Sequence, residues 1–536
     1  MTSPTSGRAP HGAGTRPPGP PHGALPAVPG GDRAEPGAPE SARADRPRAP
    51  RRERGAPGAR ERASGLRLWA GTTPARVWLL SSVCVLAVLG LFGSAAATLG
   101  QARESLHVLG DDAGPQAMAT TDLYLALAEM DARVADVLLM GTDHDLGSGR
   151  EDALEGYEAS RERANAALLQ AASLAEGDGV KERNVEAVLD GMGAYEQLAG
   201  QARLLNDEAQ APPGRVDGTA LETYDEATRL MHTELLPKAF NLGLDSSAIV
   251  RANHEEGQSS VAFGMLWVGA VGAVTVAVLL GLQLYLRVRF RRRFNAPLLA
   301  ATAVAVLLTG GVVLTLTTSG GHQRDAKEEG LDAATALSRA GAIATDMQAD
   351  QSRYLLDPDM ADNYQQVYLE RAQQVLYRPA GNLEAYYEAV DDAVAAYPEL
   401  PGPDGSDPED PGTLGYLGQR AQDALLPGQE EALAEVLESY NALQAEDRAL
   451  RSAAEEGDLA GAVDVRMGVA HSEDGAFHAY EDALAELTDL HEGAFAEGIE
   501  RGDAVLAPWT WLLHAATALL LVLIVLGVRP RLAEYR

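Results

Sequence analysis

The stretch Arg287-Val288-Arg289-Phe290-Arg291-Arg292-Arg293 decides the fold, because it separates two apolar runs, 261–286 and 297–317, each long enough to cross a bilayer. Five arginines within a turn or two of both membrane ends place the loop 287–296 on the cytoplasmic side by the positive-inside bias. Two further apolar runs, 77–99 and 508–528, bring the spans to four. The chain is therefore expected to be a multi-pass protein of the plasma membrane with both termini in the cytoplasm.

Charge follows that topology. The segments 1–76, 287–296 and 529–536 together carry 21 Lys and Arg against 7 Asp and Glu, whereas the rest of the chain carries 23 against 70. The overall net charge of −33 is thus a basic inner face added to a strongly acidic exterior. An acidic exterior argues against nucleic acid as a partner and favours solubility of exported domains. Cys84, inside the first span, is the only cysteine. It reads as a small membrane-facing hydrophobe, and the exported regions must hold together by packing without an internal disulfide.

Residues 1–76 are rich in Pro, Gly, Ala and Arg and contain almost no Ile, Phe or Tyr, so the segment reads as a disordered basic cytoplasmic tail. The first span, 77–99, ends in Ser94-Ala95-Ala96-Ala97, which superficially resembles a signal-peptidase site; the long preceding segment favours a retained anchor. Residues 100–260 then change to Ala, Leu, Glu, Asp and Arg with apolar residues at helical spacing. Leu123, Leu127, Met130, Val134 and Val137 form one seam, and Val185, Val188, Met192, Tyr195, Leu198, Ala202 and Leu205 another. Breaks at Gly141 to Gly149, Gly177-Asp178-Gly179 and Ala211-Pro212-Pro213-Gly214 divide this region into four helices, the outer two running into the spans.

Residues 318–507 repeat the plan, with helices expected near 325–356, 361–377, 429–456 and 458–506 and a Pro-rich irregular insert at 398–411. Three spacings recur in the same order in both halves. Tyr195-x2-Leu198-x4-Arg203 matches Tyr440-x2-Leu443-x4-Arg448, Leu138-Leu139-Met140 matches Tyr354-Leu355-Leu356, and Glu162-Arg163-Ala164 matches Glu370-Arg371-Ala372. The fold class is accordingly all-α: four transmembrane helices and two extracytoplasmic helical bundles in tandem, read as a degenerate duplication.

Chemistry is sparse. The sequence holds no phosphate-binding glycine loop, nucleophile elbow or Cys-x-x-Cys pair, so no catalytic, cofactor or metal residue is assigned. His471 and His478 could share a helix face, but neither a zinc-protease nor an EF-hand spacing accompanies them. Adjacent carboxylates such as Glu255-Glu256, Asp391-Asp392 and Glu455-Glu456 point about 100° apart on a helix and read as solvated surface. Tyr364, Tyr368, Tyr386 and Tyr387 read as core. His514, inside the last span, is the intramembrane polar candidate. Arg287, Arg289, Arg291, Arg292 and Arg293 form the inner-face group. Otherwise the spans lack the midplane charges that a transporter or channel needs.

The stretch from Asp122 to Asp131 (DLYLALAEMD), the Ala-rich bundles and the two span pairs joined by a short Arg-rich loop resemble the GlnX-type four-pass proteins of high-GC Gram-positive bacteria. The resemblance covers about residues 66–536 and is mostly architectural. It implies a non-enzymatic transducer that links an extracytoplasmic amino-acid-binding lipoprotein of the GlnH type to the cytoplasmic serine/threonine kinase PknG and reports glutamate or aspartate. Topology points the same way, since a tail, a short loop and a stub leave little room inside for an output domain. The other expectations are a bundle that senses a small molecule directly and a cell-envelope scaffold. A homodimer is compatible with each, and the ligand- or partner-binding residues are not legible.

Overall fold

The computed structural model describes residues 73–142, 149–174, 179–290, 295–398, 415–417, 426–471 and 475–533. The tail up to residue 72, the insert 399–414 and the last three residues lie outside them, as do Arg291, Arg292 and Arg293. Every regular element among the described residues is helical. Four segments are long and apolar enough to cross a membrane, and they fall within Ala75–Met140, Ser259–Val288, Ala296–Leu356 and Ala476–Pro530.

In the first half, α1 (Thr73–His107) continues through a π-helical turn, Val108–Ala113, into α2 (Gly114–Met140). Helices α3 (Gly149–Leu174) and α4 (Gly179–Glu208) follow. The chain then returns through α5 (Gly218–Leu230), a second π turn at Met231–Leu235 and the 55-residue α6 (Leu236–Phe290). Asp217 caps α5 by accepting from the amides of Thr219 and Ala220, which satisfies donors that a helix start leaves free.

The second half begins with α7 (Ala296–Asp325), which passes through a π turn at Ala326–Leu331 into α8 (Asp332–Leu356). Next come α9 (Ala361–Val375), α10 (Leu383–Ala396), α11 (Gln429–Glu455), α12 (Leu459–His471), α13 (Ala476–Leu506) and the last span, α14 (Trp509–Ala533). Two departures from the expected helices stand out: α10 is additional, and the helix expected over 458–506 is divided into α12 and α13. Asn382 starts α10 by accepting from the Ala385 amide, a cap signal that the proline-rich neighbourhood obscured.

Leu123, Leu127, Met130, Val134 and Val137 sit in one core with Val185, Val188, Met192, Tyr195 and Ala202, while Leu198 and Leu205 are half-buried. The apolar positions of the expected 458–506 helix divide, Val463 and Met467 joining that core and Phe477, Tyr480, Leu484 and Leu487 a second one. Tyr368, Tyr386 and Tyr387 are core residues as expected, and Tyr364 is half-buried. Asp391, Asp392, Glu455 and Glu456 are exposed.

The spans form a four-membered ring in which α1 packs on α6, α6 on α7, α7 on α14 and α14 on α1. Cys84 is not on the outer face. It is fully buried, with its thiol 3.9 Å from the Val278 carbonyl of α6, because its position lies on the stripe of α1 that meets α6. Thr275 ties the same pair by donating to the Ala87 carbonyl at 3.2 Å and to its own helix at Val271.

Beyond the spans the two halves of the chain pack against each other. Helix α2 packs along α8, and both are enclosed. Ala342 through Arg353 are all buried, as are Ala126 through Asp131 and Val134 through Met140. The first-half core is completed by Leu355, Leu356, Leu450, Ala462, Val463 and Met467 from the second half. Two central helices, each the extension of a span, therefore form one hydrophobic interior with helices wrapped around them.

Candidate functional site: a charged seam between the two halves

An enclosed helix would ordinarily be apolar all round. Helix α8 instead carries Asp346, Gln348, Asp350, Gln351, Ser352 and Arg353, all buried. Burial of such groups is tolerated when they are paired and hydrogen-bonded, and α8 engages Asp350, Gln351, Ser352 and Arg353 in this way at three places.

The first is a closed ring of side chains from both halves. Asp131 on α2 is 0% exposed; it accepts from Tyr195 of α4 at 2.8 Å and is ion-paired with Arg353 of α8. Arg353 donates to Asp350 at 2.7 Å and to the Tyr224 hydroxyl at 3.3 Å. Asp350 pairs with Arg371 of α9, whose guanidinium is 3.4 Å from Nδ1 of His232 in the first-half π turn. The other ring nitrogen of His232 is 3.6 Å from Asp131, which closes the circuit. Burial alone would push the Asp131 carboxyl up; Arg353, with help from His232 and Tyr195, reverses this and holds it at about 2. Burial likewise opposes charge on Arg353, and Tyr224, Asp131 and Asp350 keep it well above the usual guanidinium value.

The second place joins α2, α8 and α12. Asp136, 1% exposed, accepts from Ser352 and from Arg466, each at 2.7 Å, and Arg466 also donates to the Ser352 hydroxyl at 2.9 Å. Arg466 is fully buried, and desolvation pulls its guanidinium below the ordinary value despite Asp136. At the third, Asp447 of α11 accepts from Gln351 at 2.9 Å, from Arg451 at 2.8 Å and from Tyr387 of α10. Arg451 lies over the rings of Tyr354 and Tyr368 at 4.6 and 4.9 Å, a cation–π arrangement.

Two of the recurring sequence patterns meet in this seam. Arg163 reaches back from α3 to Glu129 on α2, and Arg371 reaches back from α9 to Asp346 and Asp350 on α8. Tyr195 and Tyr440 are both fully buried with engaged hydroxyls, Tyr195 on Asp131 and Tyr440 against Tyr386 at 3.0 Å. Replacing Tyr195 by phenylalanine deprives a buried carboxylate of one donor. The expected cost is about 1–3 kcal/mol, read as a lower urea midpoint with unchanged slope.

Where the central helices meet the spans, α13 descends between them. Phe495 packs against Leu109, Ala113, Ala117, Ala326 and Leu331, the residues of and beside the two π turns. Gly114 and Gly330 make room for it, since a Cβ on Gly330 would lie 2.6 Å from the Phe495 Cα. Below this wedge, Gln323 donates to Ser105 at 2.8 Å and Ser319 to the Gly502 carbonyl at 3.3 Å. π-Helical turns are uncommon and concentrate where a helix must yield; here one stands at the same level in both span-to-bundle helices.

Another face of α13 carries Glu481, whose carboxyl is pushed up to about 7 by burial and by Glu129, against the pull of Arg133 and Arg163 and with a further push from Asp482. The folded protein thus retains a proton there that the unfolded chain releases near pH 4.3. Its contribution falls as pH rises from about 4 to 7 and is level above that. Glu481→Gln is expected to remove this slope, measured as denaturation midpoints at pH 5 and pH 8.

The residues singled out in the sequence lie elsewhere. Arg287 is exposed at the end of α6, which also contains Arg289. His514 is exposed on α14, donating from Nδ1 to the Thr510 carbonyl at 2.8 Å and meeting the Phe92 ring edge-on at 5.1 Å. His478 is exposed beside Asp482 at 3.7 Å. Among the described residues no group of three or more His, Cys, Asp or Glu is arranged to hold a metal.

Residues 105–255 match the family model of an actinobacterial sensor domain. The matched stretch begins just before the first π turn and runs through α2, α3, α4 and α5 into α6, so it contains the first-half side of the charged ring. The match fits a sensor protein of an actinobacterium and points to a sensing or signalling role. No curated protein and no solved structure matches the chain.

Proposed function

We propose that this protein is a non-enzymatic transmembrane transducer that relays extracytoplasmic glutamate or aspartate from a solute-binding lipoprotein to a cytoplasmic serine/threonine kinase. The observation that carries the transducer reading is the ring Asp131–Arg353–Asp350–Arg371–His232. It fixes the register of α2 against α8, and each of these helices continues through a π turn into a span. Sliding one helix past the other by a turn, about 5.4 Å, would break both contacts of the ring that cross between the halves, Asp131–Arg353 and Arg371–His232, which makes it a two-state element rather than a graded spring. Buried ion pairs add little net stability but specify one arrangement over others, which suits a component that must occupy defined states.

The sensor-domain match to residues 105–255 supports the input side. The amino-acid identity and the kinase rest on the resemblance to GlnX-type proteins, and the basic segments supply a surface for an acidic partner or for anionic lipid. Affinity purification from membranes with and without glutamate or aspartate tests the relay. Recovery of a binding lipoprotein and a kinase, with one of them dependent on the amino acid, is the expected result; recovery of neither under both conditions rejects it. A second reading, direct sensing of a small molecule by the helical body, is favoured by a cavity described next.

A further inference from the structure

A cavity of about 120 Å³ opens between the halves, two to three turns along α8 from the charged ring. Its polar walls are Thr120, Thr121 and Tyr124 from α2, Arg339 from α8, Gln374 from α9 and Tyr416, with apolar lining from Phe240 and Ala239 of α6 and Ile343 of α8. The seam arginines Arg353, Arg371, Arg451 and Arg466 each have a carboxylate. Arg339 has none among the described residues and lies only over the face of Phe240, at 5.6 Å. Among the described residues no Asp or Glu lines the cavity. In a chain of net charge −33, this is a pocket whose one ionised wall among the described residues is a cation that no described carboxylate pairs.

We infer that the cavity binds a small hydroxy- or amino-carboxylate. A single planar guanidinium matches one carboxylate through two parallel hydrogen bonds. Tyr124, whose phenol is pushed up by burial and by the nearby Asp346, stays protonated and supplies a further donor. Thr120 and Thr121 already donate their protons to backbone carbonyls, Thr120 to Gln116 and Ala117 and Thr121 to Ala117. Their free lone pairs therefore suit a ligand that brings its own donor, a hydroxyl or an ammonium. Phe240 and Ile343 cover the carbon chain. The volume, a few times the roughly 30 Å³ share of one water, admits a molecule of a few carbons.

This assignment deepens the direct-sensing reading and rests on it. The same elements lead to the ring: Gln374 follows the ring member Arg371 by one turn on α9, and Ile343 precedes by one turn Asp346, which lies 3.8 Å from Arg371. A ligand that pulls Arg339 and Gln374 together would bias the packing of both helices against α2.

The test is calorimetric titration of the full-length protein in lipid nanodiscs with L-lactate, L-alanine, propionate, propionamide and inorganic phosphate. L-Lactate or L-alanine is expected to bind, propionate more weakly, and propionamide and phosphate not at all. Arg339→Gln should weaken the binding by about ten-fold or more, as loss of a charge-assisted pair does. Arg339→Lys should fall between the two, which separates lost charge from misfolding. Absence of heat with every carboxylate, or equal binding by Arg339→Gln, overturns the site. Binding of phosphate or propionamide as tight as that of L-lactate overturns the carboxylate, and propionate as tight as L-lactate overturns the donor group. Binding is read without any cytoplasmic partner, so a negative result here leaves the transducer reading standing, whereas binding without a change in partner recovery rejects only coupling.

Discussion

Asp131→Ala is expected to destabilise the protein by about 3–5 kcal/mol, the cost of leaving a buried ion without its partner. The carboxylate is fully buried and faces Arg353, Tyr195 and His232 at once. Its removal strands the Arg353 guanidinium, itself buried, with Asp350 as the remaining carboxylate. Chemical denaturation of the full-length protein in nanodiscs measures this, and the control is the double replacement Asp131→Leu with Arg353→Met. An apolar pair of similar volume removes both charges and is expected to recover most of the loss. Recovery of stability without recovery of partner binding would mark the ring as a register device; recovery of both would reduce it to a structural pair. The same carboxyl sets an acid limit. Its folded value, about 2, lies below the ordinary value of about 3.9. The stabilisation it gives is complete above the unfolded value and is lost as pH falls from about 4 towards 2, and Asp131→Ala should flatten that limb.

Gly330→Val is the second large effect expected, about 1–3 kcal/mol or more. A Cβ at that position would meet the backbone of Phe495, at 2.6 Å from its Cα and 2.7 Å from its nitrogen. Backbone cannot rotate away as a flexible side-chain tip can, so α13 must move or the π turn at Ala326–Leu331 must open. Gly341→Val is the comparison. The nearest atom there is Leu484 Cδ2 at 3.1 Å, and a leucine methyl can yield. A thermal melt that drops far more for Gly330→Val than for Gly341→Val confirms the wedge as a tight joint, and equal melts reject it.

The spans and seams were legible in the sequence because both are local. An apolar run declares itself, and Leu123, Leu127, Met130, Val134 and Val137 recur at helical spacing within a few turns. The charged seam was not, because each of its carboxylates and arginines reads in isolation as solvated surface. Asp131 and Arg353 are 222 residues apart, and nothing at either position names the other. A local sign did exist: Asp131 and Asp350 occupy steps that extend the apolar seams of their helices, where a solvated charge has no place. Arg371 belonged to a repeated pattern, Glu-Arg-Ala, but the repeat indicated kinship between halves rather than burial between them. Cys84 shows the complementary limit, since composition identifies a span but not which of its faces meets a neighbour.

The length of chain between the members of the ring also sets an order of events during synthesis. At about 5–20 residues per second, Arg353 emerges roughly 10–40 s after Asp131. Throughout that interval the first half, the part that matches a sensor domain, holds Asp131 and Asp136 with their cationic partners Arg353 and Arg466 not yet made. The nascent chain must keep those carboxylates wet until the third span is inserted and α8 arrives. A fragment ending at α6 is permanently in that unfinished condition.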